Sequence, residues 1–149
     1  MSYVNLIYHI VLRTKRSVPA INESHERELY LYMLTFLRSR GCVLHRIGGM
    51  PDHVHLLMEV HPSVALSDFM RDMKTATSKF MKANRDTKFP MFDGWEPEYY
   101  ASTVSKSDVA SIKQYIINQK EHHKVLSFRD EFLRLCRNHG IEVDERYLP

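Results

Sequence analysis

The chain has 149 residues, enough for one domain with a substantial core and short for two. Hydrophobic residues make up 44% of it and charged residues 26%, the balance of a folded globular chain, which excludes disorder as the default. The formal charge of +3 admits a polyanionic partner without requiring one, and nine histidines make a metal site worth seeking.

Cys42 and Cys136 are far apart and form no C-x-x-C pattern, which argues against a disulfide scaffold or a cysteine zinc site and for a reducing compartment. The N-terminus shows no signal-peptide apolar segment, and no apolar run approaches the ~18 residues of a membrane span. The expectation is a cytoplasmic protein with no membrane partner.

In chain order, Tyr3 to Leu12 alternates as a strand with Val4, Leu6, Tyr8, Ile10 and Leu12 on one face. A basic connection from Thr14 leads to Asn22, a candidate cap for a helix carrying Leu29, Met33, Phe36 and Leu37 and stopped by Gly41. Cys42 to Ile47 and His53 to Val60 form a hairpin around a turn at Gly48 to Asp52. The spacing of Leu66, Phe69, Met70, Met73, Thr77, Phe80 and Met81 predicts a helix to about Asn84. After a loop to Pro97, Tyr99 to Val104 is a short strand, Ser107 to Lys124 a helix, and Ser127 caps a last helix ending near Gly140, before an irregular tail from Ile141 to Pro149.

That order predicts a single α+β domain over 1–149. Residues 1–105 form a ferredoxin-like βαββαβ unit, an antiparallel sheet with helices on one face; a tyrosine-bearing helix (107–124) and a short helix with its tail (127–149) follow. The fold hosts many functions and does not choose among them.

Asp52-His53-Val54-His55-Leu56-Leu57-Met58-Glu59-Val60 is the most informative stretch. Val54, Leu56, Met58 and Val60 share the core face, leaving His53, His55, Leu57 and Glu59 on the other. Two residues along a strand span roughly 6.5–7 Å, so two imidazoles can lean onto one cation, but two ligands do not complete a site. Two half-exposed histidines on an open sheet face is the alternative. On the later helix, Val109, Ile112 and Ile116 form an apolar stripe beside a polar one of Tyr115, Gln119 and His122. Gln119 can offer an amide oxygen to a metal, and Tyr115 beside it can act as a covalent nucleophile.

Two motifs now stand out: Met50-Pro51-Asp52-His53-Val54-His55-Leu56-Leu57, and Tyr115-Ile116-Ile117-Asn118-Gln119 followed by Glu121-His122-His123. With the opening Tyr8-His9-Ile10-Val11-Leu12-Arg13-Thr14-Lys15 and the stretch from Trp95 to Ser105, the chain resembles the HUH single-tyrosine transposases of small bacterial insertion sequences, the IS-two-hundred-like group. The resemblance implies Tyr115 as nucleophile, forming a 5′-phosphotyrosine bond and leaving a 3′-OH. It implies His53, His55 and Gln119 as ligands of Mg²⁺ or Mn²⁺, single-stranded DNA with a hairpin as partner, and a homodimer whose sites are completed in trans. Histidine ligands suit Mn²⁺ better than Mg²⁺, which prefers oxygen.

For DNA contact, Arg71, Lys74, Ser78, Lys82 and Arg85 form a basic helical stripe, and Arg13, Lys15 and Arg16 a second cluster on the same sheet as His53. Trp95 and Tyr99 could stack on bases or pack in the core. An RNA-recognition module shares the βαββαβ order but needs aromatics where this chain has histidines. A domesticated relative that binds hairpins without transposing would keep both motifs. A histidine-triad hydrolase needs a third histidine where Leu57 stands, and a purely structural dimerisation protein leaves Tyr115 with Gln119 unexplained.

Overall fold

The computed structural model describes residues 3–124, 126–144 and 146. Four strands, β1 (Ile7–Arg13), β2 (Val43–Met50), β3 (His53–Glu59) and β4 (Tyr100–Thr103), form one antiparallel sheet in the order β2-β3-β1-β4. Helices α1 (Glu26–Ser39) and α2 (Leu66–Ala83) follow β1 and β3, as the βαββαβ order requires. Ile10, Leu12, Val54, Leu56 and Met58 point to one side, where Leu29, Met33 and Leu37 of α1 and Phe69, Met70, Met73 and Met81 of α2 close an apolar core.

The opposite side of the sheet is covered too. Helices α3 (Val109–Ile117), α4 (Gln119–His122) and α5 (Phe128–Asn138) carry the second half of the story. Ile116, with Val109 and Ile112, packs on Ile7 and Leu57, and Phe128 and Cys136 join a cluster with Val11 and Tyr100. The open histidine face expected from sequence is therefore closed, because Ile7, Val11 and Leu57 make it apolar enough to bind the chain's own later helices.

Several boundaries differ from expectation. The first strand begins at Ile7; Tyr3, Val4 and Leu6 precede it and are exposed. His25, not Asn22, precedes α1, and Asn22 Nδ2 instead donates to Lys88 O at 2.7 Å, tying the connection to the loop after α2. Gly48 and Gly49 lie inside β2, paired with His55 and Val54, so the turn is only Pro51–Asp52. The tyrosine helix is divided at Asn118 into α3 and α4, although His122 N–H still bonds Asn118 O and His123 N–H bonds Gln119 O. Ser127 caps α5 as expected, accepting from Asp130 N–H. Of the expected tail, residues 145 and 147–149 lie outside the described residues.

Candidate active site

Strand β3 turns His53 and His55 to the covered side of the sheet, where both are fully buried. Helix α3 brings Tyr115 and α4 brings Gln119, and the hinge at Asn118 keeps the two on one side. His53 Nε2 lies 3.1 Å from Gln119 Oε1, and the Tyr115 ring stands edge-on to His55 with centroids 5.7 Å apart. The four residues singled out from sequence are thus assembled by one chain. Within this chain the apolar stripe of α3 seats the tyrosine helix on its own sheet.

At the centre stands a residue that sequence reasoning missed. Glu131 of α5, fully buried, places Oε1 at 3.2 Å from His53 Nε2, 3.1 Å from His55 Nε2 and 3.2 Å from His123 Nε2. Its Oε2 accepts hydrogen bonds from Gln119 Nε2 at 2.8 Å and from the Tyr115 hydroxyl. The signal was present: Glu131 shares the apolar stripe of Phe128, Phe132 and Cys136, where a charge demands a partner. Phe128 stacks on the His53 ring at 4.0 Å and closes the site from the α5 side. His9 of β1, also missed, lies behind His55 with Nε2 at 2.8 Å from its Nδ1, and Asp52 Oδ1 holds His53 Nδ1 at the same distance.

The charges follow from this packing. Burial opposes a charge on Glu131, but hydrogen bonds from His123, His53 and His55 outweigh it and hold the carboxyl far below the usual range. Burial likewise opposes a cationic His53, yet Asp52 and Glu131 push its pKa up to about 9. Burial lowers His55 despite Glu131. Burial, then the Glu131 charge, pushes the Tyr115 phenol well above the usual tyrosine range, so it stays protonated.

This cluster fits a divalent cation. Among the described residues, the donor atoms of His53, His123 and Glu131 all lie within 4.8 Å of one another. Gln119 Oε1 at 3.1 Å and Glu131 Oε1 at 3.2 Å from His53 Nε2, and Glu131 Oε1 at 3.1 Å from His55 Nε2, are close to the spacing of about 3.0 Å between neighbouring octahedral ligands with metal bonds of about 2.1 Å. His122 Nε2, buried 3.7 Å from Glu131 Oε2, makes no hydrogen bond, leaving a polar atom for a further ligand. Imidazoles with one carboxylate and one amide suit Mn²⁺ or another mid-row metal better than Mg²⁺.

The expected DNA contacts divide. Lys15, Arg16, Lys74 and Lys82 line one groove of about 1040 Å³ with Arg71, Lys79, Trp95 and Tyr99, so the two basic clusters converge. Within it Lys74 Nζ donates to Glu96 O and Pro97 O at 2.6 and 2.7 Å, which makes it a strut for that loop. Arg13 is largely buried and pairs with Glu98 at 3.2 Å, a fold contact that leaves Lys15, Arg16 and Lys82 as the exposed cations among the expected contacts, beside exposed Arg71 and Lys79 in the same groove. Trp95 Nε1 donates to Thr77 Oγ1 and its ring meets Phe92, so it packs against the core. No helix among the described residues is long and apolar enough to cross a membrane.

Comparison with known proteins bears on this geometry. A family model described as "Transposase IS200 like" matches residues 2–119. The chain is 39% identical over 75 residues to the ISDra2 transposase TnpA of Deinococcus radiodurans; that match takes in 48% of this chain, and the chain spans about half, 54%, of the relative's length. It is 28% identical over 124 residues to the transposase for insertion sequence element IS200 of Salmonella typhimurium, covering 81% of each. A transposase candidate of known crystal structure from Deinococcus radiodurans R1 superposes with a TM-score of 0.62 at 31% identity, over 80% of this chain and 95% of that one. A REP-associated tyrosine transposase solved bound to a REP hairpin shares the fold, with a TM-score of 0.61 at 13% identity, over 85% and 76% of the two chains. His123 and Glu131 lie beyond the segment that the family model matches.

Proposed function

We propose a function from one premise: this chain belongs to the IS200-like transposase family. It cleaves and rejoins single-stranded DNA at the hairpin-bearing ends of a mobile element, inside the cell that carries the element. The observation that carries this reading is the convergence of Tyr115, His53, His55 and Gln119 on Glu131, each within hydrogen-bond reach of its carboxylate.

In this mechanism Tyr115 Oη attacks a backbone phosphorus, forming a 5′-phosphotyrosine bond as the 3′-oxygen of the neighbouring nucleotide leaves. Attack by a 3′-OH on that bond reverses the step and joins strands, so no nucleotide is consumed. Glu131 Oε2 accepts the Tyr115 hydrogen bond and orients the phenol, and the phenolic proton ends on the departing 3′-oxygen, which leaves as the 3′-OH. His53, His55 and Gln119, with Glu131 and His123 beside them, would hold a divalent cation, which when bound neutralises charge on the phosphate and on Glu131. Phe128 and α5 keep water from the site. Lys15, Arg16 and Lys82 hold phosphates of the hairpin along their groove, and the single-strand preference follows from a nucleophile that must reach a phosphate beside unpaired bases. The hairpin-bound relative of similar fold supports the same kind of partner.

Labelled single-stranded element ends incubated with Mn²⁺ test this. The wild type should form a covalent adduct that survives denaturation; Tyr115→Phe should bind the hairpin equally and form none; the same sequence fully paired should not be cut. An adduct on Tyr115→Phe overturns the nucleophile. Hairpin binding without any wild-type adduct favours a DNA-binding module that does not transpose.

A further inference from the structure

His53 and His55 turn Nε2 toward a common point, and each is held from behind at Nδ1. For His53 the holder is the adjacent Asp52. For His55 it is His9, 46 positions earlier on β1, with His9 Nε2 at 2.8 Å from His55 Nδ1, both rings buried and stacked at 5.0 Å and 22°. His9 stands between Ile7 and Val11 on the covered face, where an aliphatic side chain would pack without needing a polar partner. We propose that His9 is a positioning residue of the metal centre, which orients His55 and selects the tautomer that can bind a cation. This rests on the metal reading above.

A neutral imidazole carries one N–H. With no cation, His55 Nε2 faces Glu131 Oε1 at 3.1 Å, and a carboxylate can only accept, so His55 donates from Nε2. Its Nδ1 is then an acceptor, and His9 donates to it from Nε2. A cation at His55 Nε2 needs that lone pair, so the His55 proton must sit on Nδ1. His9 must then accept at Nε2 and carry its own proton on Nδ1. Each ring keeps one proton in both states, but both tautomers exchange. An imidazole serves in either role, a carboxylate or a lysine in only one.

Glutamine at this position retains a group that can donate or accept, and leucine retains neither. We would titrate Mn²⁺ into wild type, His9→Gln and His9→Leu, reading free Mn²⁺ by electron paramagnetic resonance, with thermal melts as the folding control. Loss of a group behind a metal-binding histidine typically weakens affinity roughly 10- to 100-fold; we expect at least tenfold for His9→Leu and recovery to within a few-fold for His9→Gln. In the wild type, nitrogen-15 spectra of the histidine rings should show the His55 proton move from Nε2 to Nδ1 on adding diamagnetic Zn²⁺; this needs no variant to fold. Folded His9→Leu binding Mn²⁺ as tightly as wild type, His9→Gln failing like His9→Leu, or an unchanged His55 tautomer each overturns the role of His9 alone. Failure of the wild type to bind Mn²⁺ or Zn²⁺ strikes down the metal site itself, and this role with it.

Discussion

Glu131 Oε1 faces three histidine nitrogens while Oε2 takes the Tyr115 and Gln119 hydrogen bonds, so one carboxylate joins Tyr115 to the candidate ligands. Its charge is balanced in the metal-free protein by His53, and removing one member of a buried pair leaves the other uncompensated, at a cost of roughly 3–5 kcal/mol. Glu131→Gln should therefore destabilise the metal-free protein by about 3 kcal/mol in urea unfolding and weaken Mn²⁺ binding in calorimetry. His53→Ala and His55→Ala should each weaken Mn²⁺ more than Gln119→Ala does, since a neutral amide is the poorest ligand of the set. Unchanged affinity in both histidine variants would refute the site. His53, His55, Tyr115 and Gln119 were legible because alternation and helical spacing act over a few residues. Glu131 was not singled out: spacing places it on a buried stripe of α5, but nothing local says which surface that stripe meets.

The elements explain how the site closes. An ideal Cβ on Gly48 would lie 3.1 Å from both Cγ2 and O of Ile116, so the missing side chain lets the C-terminal end of α3 settle onto β2 and carry Tyr115 inward. An ideal Cβ on Gly49 would fall 2.2 Å from His53 O, which no side chain can accommodate without moving the hairpin. Gly49→Ala should cost about 3 kcal/mol or more and, because the carbonyl displaced belongs to His53, reduce Mn²⁺ affinity as well; a urea midpoint within error of wild type would contradict this. Sequence marks these glycines as a turn. In the structure they are strand residues whose missing side chains serve packing, a distinction set by α3 and by the facing strand rather than by local preference.

For the whole molecule, the question is whether one chain makes one site. Tyr115 and the histidine pair meet here within a single chain. Tyr115→Phe mixed with His55→Ala should therefore recover no cleavage, since every site keeps one defect. Recovery toward roughly a quarter of wild type after free subunit exchange would instead show that tyrosines cross between subunits.

The sequence by itself determined the βαββαβ order, the core face of β3, the histidine pair, the tyrosine helix and the family, because each is written in short-range periodicity or in contiguous motifs. It also supplied both basic clusters but not their shared groove. Only the tertiary structure decided that α5 covers the histidine face, that Glu131 and His123 complete the cluster, that His9 backs His55, and that Arg13 and Lys74 are spent on the fold. Those contacts join residues far apart in the chain. They depend on which apolar faces meet once the sheet has formed, and a sequence pattern records that a face exists without recording what covers it.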